Sequence, residues 1–371
     1  MRRMTSAGEA LDLVRRTIRE MHGYVPGLQP SPGQHLVKLN TNENPYPPSQ
    51  SVLQAVRAAV DDSLRLYPSP DAAPVRRQAA ERYGISASQV LCGNGSDEIL
   101  SLIMRAFVDE GDTIAYFEPS YSLYPVMAGI AGARTIVIPW ARPLEASDVD
   151  RTPIPTPRAK VFFLTTPNSP YGTLFPTSWI RRLLDAFPGI VIADEAYVDF
   201  AAESALPLLA EYPRLICVRS LSKSYSLAGM RAGLALASQE LIAQLAKVKD
   251  SYNVNRLSQA AAAAAIADEE YRRQTSERIK ATRGRLSRRL TDLGLVVPPT
   301  QANFLFAALP NGSGTEKPDA GPLARFLLER GFLVRHFDTP ALRDGMRISI
   351  GTDQEIDALA DAIEEGLRGR Q

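Results

Sequence analysis

Cysteine and histidine are nearly absent from this chain. Its 371 residues include 2 Cys and 3 His. Cys92 and Cys217 alone exclude a disulfide framework and point to a reducing compartment, so a cytoplasmic protein is expected. His22, His35 and His336 stand far apart and give no metal-ligand spacing, so no metal is expected. A charge surplus is also missing. With 42 basic and 41 acidic residues the formal net charge is +1, which removes the electrostatic case for nucleic acid or an acidic membrane surface. No apolar run reaches the roughly 18 residues of a membrane span. The opening "MRRMTSAGEALDLVRR" is basic and then amphipathic, without the apolar centre of a secretory signal.

What is present is ordered by strands. After a Pro- and Gly-rich arm, "HGYVPGLQPSPGQH", short apolar runs alternate with polar turns and helical patterns. "DTIAYF" leads into "EPSYSLYP", "KVFFL" into "TTPNSPYG", "GIVIA" into "DEAYVDF" and "LICVR" into "SLSKSYSLAG". Strands apolar throughout are buried on both faces, which predicts a mostly parallel sheet between helices. "QAAAAAAIADEEYRRQTSERIKATRGRLSRRL" predicts one long helix carrying the chain out of the large domain. The remainder, with "QANFLFAAL" and "GMRISIG" as strands, predicts a smaller α+β domain. The expected division is an arm to residue 39, a large domain over 40–265 and a small domain over 266–371.

Polar groups cluster after the strand ends, where open α/β sheets bind ligands. "CGNGSDE" places Gly95 and Ser96 before a helix, with Ser96 as its expected cap. A capped helix start is the plain reading, and an anion cradle the functional one. Asp194 ends a buried strand, where a carboxylate either pairs within the fold or holds a cationic ring nitrogen. Tyr197 follows three residues later. Asn168 sits between two prolines, and Tyr121 is an aromatic beyond a strand that either packs or stacks on a flat ligand. Lys223 in "RSLSKSYSLAGMRAG" is by itself a solvated lysine. Together these groups supply an amine for an aldehyde, an acid for a ring nitrogen, a phosphate cradle and an aromatic lid. That set matches pyridoxal 5′-phosphate.

The ordered motifs "GNGSDE", "EPSYSLY", "TTPNSPYG", "IADEAY", "SLSKSYSLAGMRAG" and "MRISIGT" resemble the class II group of fold-type I pyridoxal-phosphate aminotransferases, over nearly the whole chain. The resemblance implies a seven-stranded, mostly parallel sheet in the large domain. It makes Lys223 the Schiff-base residue and proton carrier, and Asp194 the partner of the pyridine nitrogen. Tyr197 and Asn168 would bond the ring hydroxyl, and Tyr121 would stack on the ring. Gly95, Ser96, Ser222 and Arg231 would bind the phosphate, with Asp97 nearby. Tyr67 would reach the phosphate of a neighbouring subunit, implying a homodimer with shared sites. Arg347 would bind a substrate anion, and Tyr24, Asn44 and Arg335 would complete the substrate pocket. "GYVPG" and "LVKLNTNENPYPPS" are similar to members acting on a phosphorylated amine. Ser169 and Tyr171 in "NSPYG", and Pro47 in "NPYPPS", depart from the group's commoner residues. An aromatic or broad amino-acid aminotransferase, a threonine-phosphate decarboxylase and a non-catalytic cofactor-binding regulator remain alternatives.

Overall fold

The computed structural model describes residues 7–31, 33–311 and 317–369. Twelve strands run in chain order: β1 (Val37–Lys38), β2 (Val90–Gly93), β3 (Thr113–Glu118), β4 (Arg134–Pro139), β5 (Val161–Thr165), β6 (Ile190–Asp194), β7 (Leu215–Ser220), β8 (Gly233–Ala237), β9 (Phe304–Ala308), β10 (Phe332–Leu333), β11 (Arg335–His336) and β12 (Gly345–Ser349). The ten longer helices are α1 (Gln50–Ala58), α2 (Ala73–Tyr83), α3 (Ser96–Phe107), α4 (Leu123–Ala131), α5 (Thr177–Ala186), α6 (Gln239–Val248), α7 (Arg256–Ala267), α8 (Glu269–Asp292), α9 (Gly321–Glu329) and α10 (Asp353–Arg368).

The central sheet has seven strands in the order β2-β8-β7-β6-β5-β3-β4. Only β8 runs antiparallel to its neighbours. The period-2 geometry of a strand sorts its side chains onto two faces. In β5, Phe162 and Leu164 join one core with Trp179 of α5 and Ala261 of α7. Val161 and Phe163 join the other, with Ile99 and Ile103 of α3 and Leu245 of α6. Burying an aliphatic or aromatic side chain fully contributes about 1.5–3 kcal/mol, so helices on both faces are required to keep these strands dry.

A second, three-stranded antiparallel sheet, β11-β12-β9, packs with α8, α9 and α10. The arm touches both parts. Met21 lies against Gly129 of α4, and β1 pairs in parallel with β10. The arm carries two short helices, Ala7–Asp12 and Arg16–Glu20.

The expected single long helix is also two. α7 runs across residues 265 and 266, and the break comes at Asp268. Its backbone leaves the helical region (φ −91, ψ 60), and its side chain accepts the amide of Tyr271. Helix propensity alone does not register a carboxylate that caps a new helix better than it continues an old one. α7 packs on α1 and α2, whereas α8 crosses to α10. There Arg285 pairs with Asp353 at 3.0 Å and Asp357 at 3.2 Å.

Candidate active site

The parallel strands β3, β5, β6 and β7 end at one edge of the sheet. β2, antiparallel to β8, runs the same way as β7, so its exit lies at that edge as well. Asp194 ends β6, and Tyr121, Asn168, Lys223 and the Gly95–Ser96 turn follow the other four exits.

Lys223 sits in the loop after β7. Its Nζ donates to the carbonyl of Thr41 at 3.1 Å and lies 5.9 Å from the centre of the Tyr197 ring. No acid pairs with it among the described residues. Burial, helped by the nearby cation of Arg347, pushes its pKa down to about 8. The loop is held from behind. Ser224 donates to Asp199, which also meets Arg272 at 3.4 Å, and Arg219 pairs with the buried Glu195 at 3.0 Å.

Asp194 is 3% exposed. Its Oδ2 accepts from the Tyr124 hydroxyl at 2.8 Å, while its Oδ1 has no partner. Burial lifts its pKa to about 6, against the opposing hydrogen bond from Tyr124. The Tyr197 hydroxyl accepts from Asn42 Nδ2 at 3.1 Å. Asn168 Nδ2 donates to the Pro119 carbonyl at 3.2 Å, and its Oδ1 is likewise without a partner. Tyr121 donates to Asp97 Oδ1 at 3.0 Å, and its ring meets Tyr24 edge-on at 6.0 Å.

At the Gly95 turn the cap is Gly95 itself, not Ser96, which is the first helical residue of α3. Gly95 has φ +87, and a Cβ there would lie 2.5 Å from Arg231 Nη2. The positive φ favours glycine, and the absent Cβ lets the Arg231 guanidinium come close. Arg231 lies beside the start of α3, 3.3 Å from the Ser222 hydroxyl and 3.4 Å from Asp97. The free first-turn amides of a helix, a hydroxyl and a guanidinium together form an anion cradle.

On the small-domain side, Arg347 Nη1 donates to Ser169 Oγ at 3.1 Å and Nη2 to the Asn40 carbonyl at 2.8 Å. Its guanidinium lies 5.4 Å from Phe304 and 5.8 Å from Phe337. Arg335 is its register partner across β11 and β12, so both side chains emerge on one face. Among the described residues neither arginine pairs with a carboxylate. Burial lowers the pKa of Arg347, with Arg335 adding to the shift.

Two further expected residues have surroundings of their own. Asn44 gives its amide to the carbonyls of Lys223 at 3.0 Å and Ser224 at 3.3 Å, so it braces the lysine loop. Tyr67 is 76% exposed and stacks on Tyr252 at 4.3 Å. Sequence reading missed Tyr124, Asn42 and Ser349. Asn42 has φ +56, accepts from Ser349 Oγ at 3.0 Å and holds Tyr197. Its signal was a polar run, "NTNEN", beside a strand, where loop asparagines are ordinary.

The donors fit pyridoxal 5′-phosphate. A buried carboxylate with one orphaned oxygen suits a protonated ring nitrogen. The orphaned oxygen of Asn168 suits a ring hydroxyl. An unpaired, partly neutral lysine suits an aldehyde, and the Gly95 cradle suits a phosphate.

Residues 34–363 match the family described as aminotransferase class I and II. The histidinol-phosphate aminotransferase of Citrifermentans bemidjiense is 43% identical over 357 residues, covering 96% of this chain and 99% of its own. That of Syntrophotalea carbinolica is 45% identical over 354 residues, covering 95% and 99%. The crystal structure of the Sinorhizobium meliloti histidinol-phosphate aminotransferase, in complex with pyridoxal-5′-phosphate, superposes with a TM-score of 0.83 at 27% identity, covering 97% of this chain and 98% of that one. The fold is fold-type I, and the chain belongs to the class I and II aminotransferases.

Proposed function

We propose that this chain is a pyridoxal-phosphate-dependent aminotransferase that converts L-histidinol phosphate and 2-oxoglutarate to imidazole-acetol phosphate and L-glutamate, a step of histidine biosynthesis. The observation that carries the substrate reading is the pair Arg347 and Arg335, two cations on one sheet face without an acid partner. Every substrate of this reaction is anionic, and its phosphate or carboxylate meets the same need. Full-length similarity to enzymes of that name supports it.

The bound cofactor supplies an electron sink for the pair left at the substrate's α-carbon. The remaining work belongs to the chain. Lys223, with its pKa near 8, exists near neutral pH as both amine and ammonium. Its Nζ can therefore remove a proton from the α-carbon and return one later in the cycle. Asp194 would be held as a carboxylate by a cationic ring nitrogen, and Tyr124 fixes its orientation. Asn168 and Tyr197 would hold the ring hydroxyl. Gly95, Ser96, Ser222 and Arg231 would hold the phosphate, with Asp97 steadying Arg231 and Tyr121. Tyr24 would close the pocket from the arm.

We also propose a homodimer, with Tyr67 completing the phosphate site of the other subunit. Val60, Leu64 and Leu66 are exposed near it in sequence, and Tyr252 stacks on it, giving that region an apolar surface. The described residues include no helix long and apolar enough to cross a membrane. Both cysteines are free and buried, which suits the cytoplasm. The chain divides near residues 39 and 265 into arm, large domain and small domain, with Asp268 marking the turn between helices.

The test is kcat/KM for histidinol phosphate, phenylalanine and phosphothreonine, with CO₂ release followed in parallel. Preference for histidinol phosphate with no CO₂ supports this reading. Preference for phenylalanine, or stoichiometric CO₂ from phosphothreonine, overturns it.

A further inference from the structure

One buried ion pair stands apart from the groups described so far. Arg142, in the loop after the edge strand β4, donates through Nη2 to both oxygens of Asp344, at 2.6 and 2.8 Å. Asp344 is buried and directly precedes β12, the strand that carries Arg347. The Arg142 guanidinium lies 5.0 Å from the Phe306 ring on β9 and 5.7 Å from the Tyr171 ring. Tyr171 meets Phe306 edge-on at 5.4 Å.

Both sides of the cleft converge here. Tyr171 belongs to the turn that carries Asn168 and Ser169, and Ser169 accepts from Arg347. Next in that turn, Gly172 has φ +78, and a Cβ there would lie 2.0 Å from Thr300 Oγ1. Its carbonyl accepts the Gln301 amide at 2.6 Å. On the opposite side a Cβ at Gly345 would lie 2.4 Å from Phe306. Both backbones are closely approached by neighbouring side chains, and Arg142 touches a residue from each side, Tyr171 and Phe306. Ser169 and Tyr171, the two residues that depart from the commoner turn, are the ones that make these contacts.

We propose that the Arg142–Asp344 pair is a positioning clasp that holds the Arg347 strand at a fixed distance from the Asn168 turn, and so sets affinity for anionic substrates. This rests on the reading of Arg347 as the substrate-anion arginine. A planar guanidinium that is bonded at its edge and stacked on its faces orients both partners, which a point charge does not. A displacement of about 1 Å at a binding group is enough to change rates severely.

Removing one partner of a buried pair leaves an unpaired charge and can unfold the chain, whereas replacing both by apolar residues is often tolerated. The informative variant is therefore Arg142→Met with Asp344→Leu, compared with Arg347→Ala in the pyridoxal-phosphate-loaded enzyme. We expect the double variant to melt within about 4 °C of the parent. Its cofactor affinity and visible spectrum should stay unchanged. KM for both L-glutamate and 2-oxoglutarate should rise about tenfold, with kcat within about threefold. A folded double variant with parental KM values, beside a raised KM in Arg347→Ala, overturns the clasp alone. Unchanged KM in Arg347→Ala overturns the anion reading and the clasp with it. Should the double variant fail to fold, Arg142→Lys keeps the charge without the planar guanidinium that stacks on Phe306 and Tyr171. A KM rise of about threefold at parental stability supports the clasp, and parental KM overturns it.

Discussion

The two walls of the cleft are prepared in opposite ways. On the large-sheet wall, beside the Gly95 anion cradle, acceptors wait: Asp194 Oδ1 and Asn168 Oδ1 are buried without donors. On the small-domain wall, donors wait: Arg347 faces only neutral acceptors, a serine hydroxyl and a carbonyl. An unmatched buried acceptor costs about 1–3 kcal/mol, and it is tolerated where a ligand completes it. The first wall therefore suits one resident molecule with fixed donor positions. The second suits a succession of anions, since a guanidinium bound to neutral groups keeps its charge available. Lys223 stands between them, and both walls act on its pKa.

Removing that central group should have the largest effect. Lys223→Ala is expected to lower kcat by about 10⁴-fold or more and to abolish the absorbance of lysine-bound cofactor. Survival of both would break the division into two walls at its centre. A gentler probe is pH. Attachment to the aldehyde needs the neutral amine, so the rate of cofactor loading should climb as pH rises through about 8. Stability of the cofactor-free chain carries the same sign. A lysine whose folded pKa lies below its unfolded value of 10.5 binds fewer protons when folded, so stability should rise between about pH 8 and 10.5. A Lys223→Met variant should lack that rise.

Asp194 is next, and it tests the large-sheet wall alone. Asp194→Asn keeps the shape but loses the charge, and kcat should fall about 10²- to 10³-fold with substrate KM little changed. In the cofactor-free chain the sign of linkage is reversed. The folded pKa, about 6, lies above the ordinary 3.8, so stability falls as pH rises between those values. Asp194→Asn should flatten that fall in a thermal-melt series. An unflattened series would mean that another group titrates there.

The opposite wall should respond in KM. Arg347→Ala is expected to raise KM for glutamate and 2-oxoglutarate about 10- to 100-fold, the value of one or two charge-assisted hydrogen bonds, while cofactor affinity holds. Arg335→Ala should weaken phosphorylated and dicarboxylic substrates and leave phenylalanine untouched. Loss of cofactor affinity in either variant would show that the walls are not separable.

The large-sheet wall was legible from sequence because its residues follow strand exits. A buried parallel strand reads as a continuous apolar run, and the residue after it is placed by the sheet itself. Tyr121, Asn168, Asp194 and Lys223 were found on that ground. β4 and β8 escaped notice, the first because Arg134 and Thr135 open it, the second because Gly and Ala fill it. The bracing shell was not legible. Tyr124 lies inside an apolar helix and reads as packing, yet its hydroxyl holds Asp194. Asn42 and Ser349 are 307 residues apart and meet only through tertiary structure. Arg142 and Asp344 are ordinary charges until the fold buries them together.

The smallest expected effect separates bracing from catalysis on the large-sheet wall. Asn42 adopts φ +56, a conformation glycine accepts without strain. Asn42→Gly therefore removes the amide while keeping the backbone, and two hydrogen bonds go with it, the one given to the Tyr197 hydroxyl and the one accepted from Ser349 Oγ. Such a bond contributes about 1 kcal/mol, so kcat/KM should fall about fivefold. The amide also opposes the burial that raises the Tyr197 phenol pKa. Without it the phenol should titrate at still higher pH, visible as an alkaline shift in its ultraviolet titration. A fall in activity without that shift would place Asn42 in loop folding through Ser349 instead, since its Oδ1 accepts from that hydroxyl.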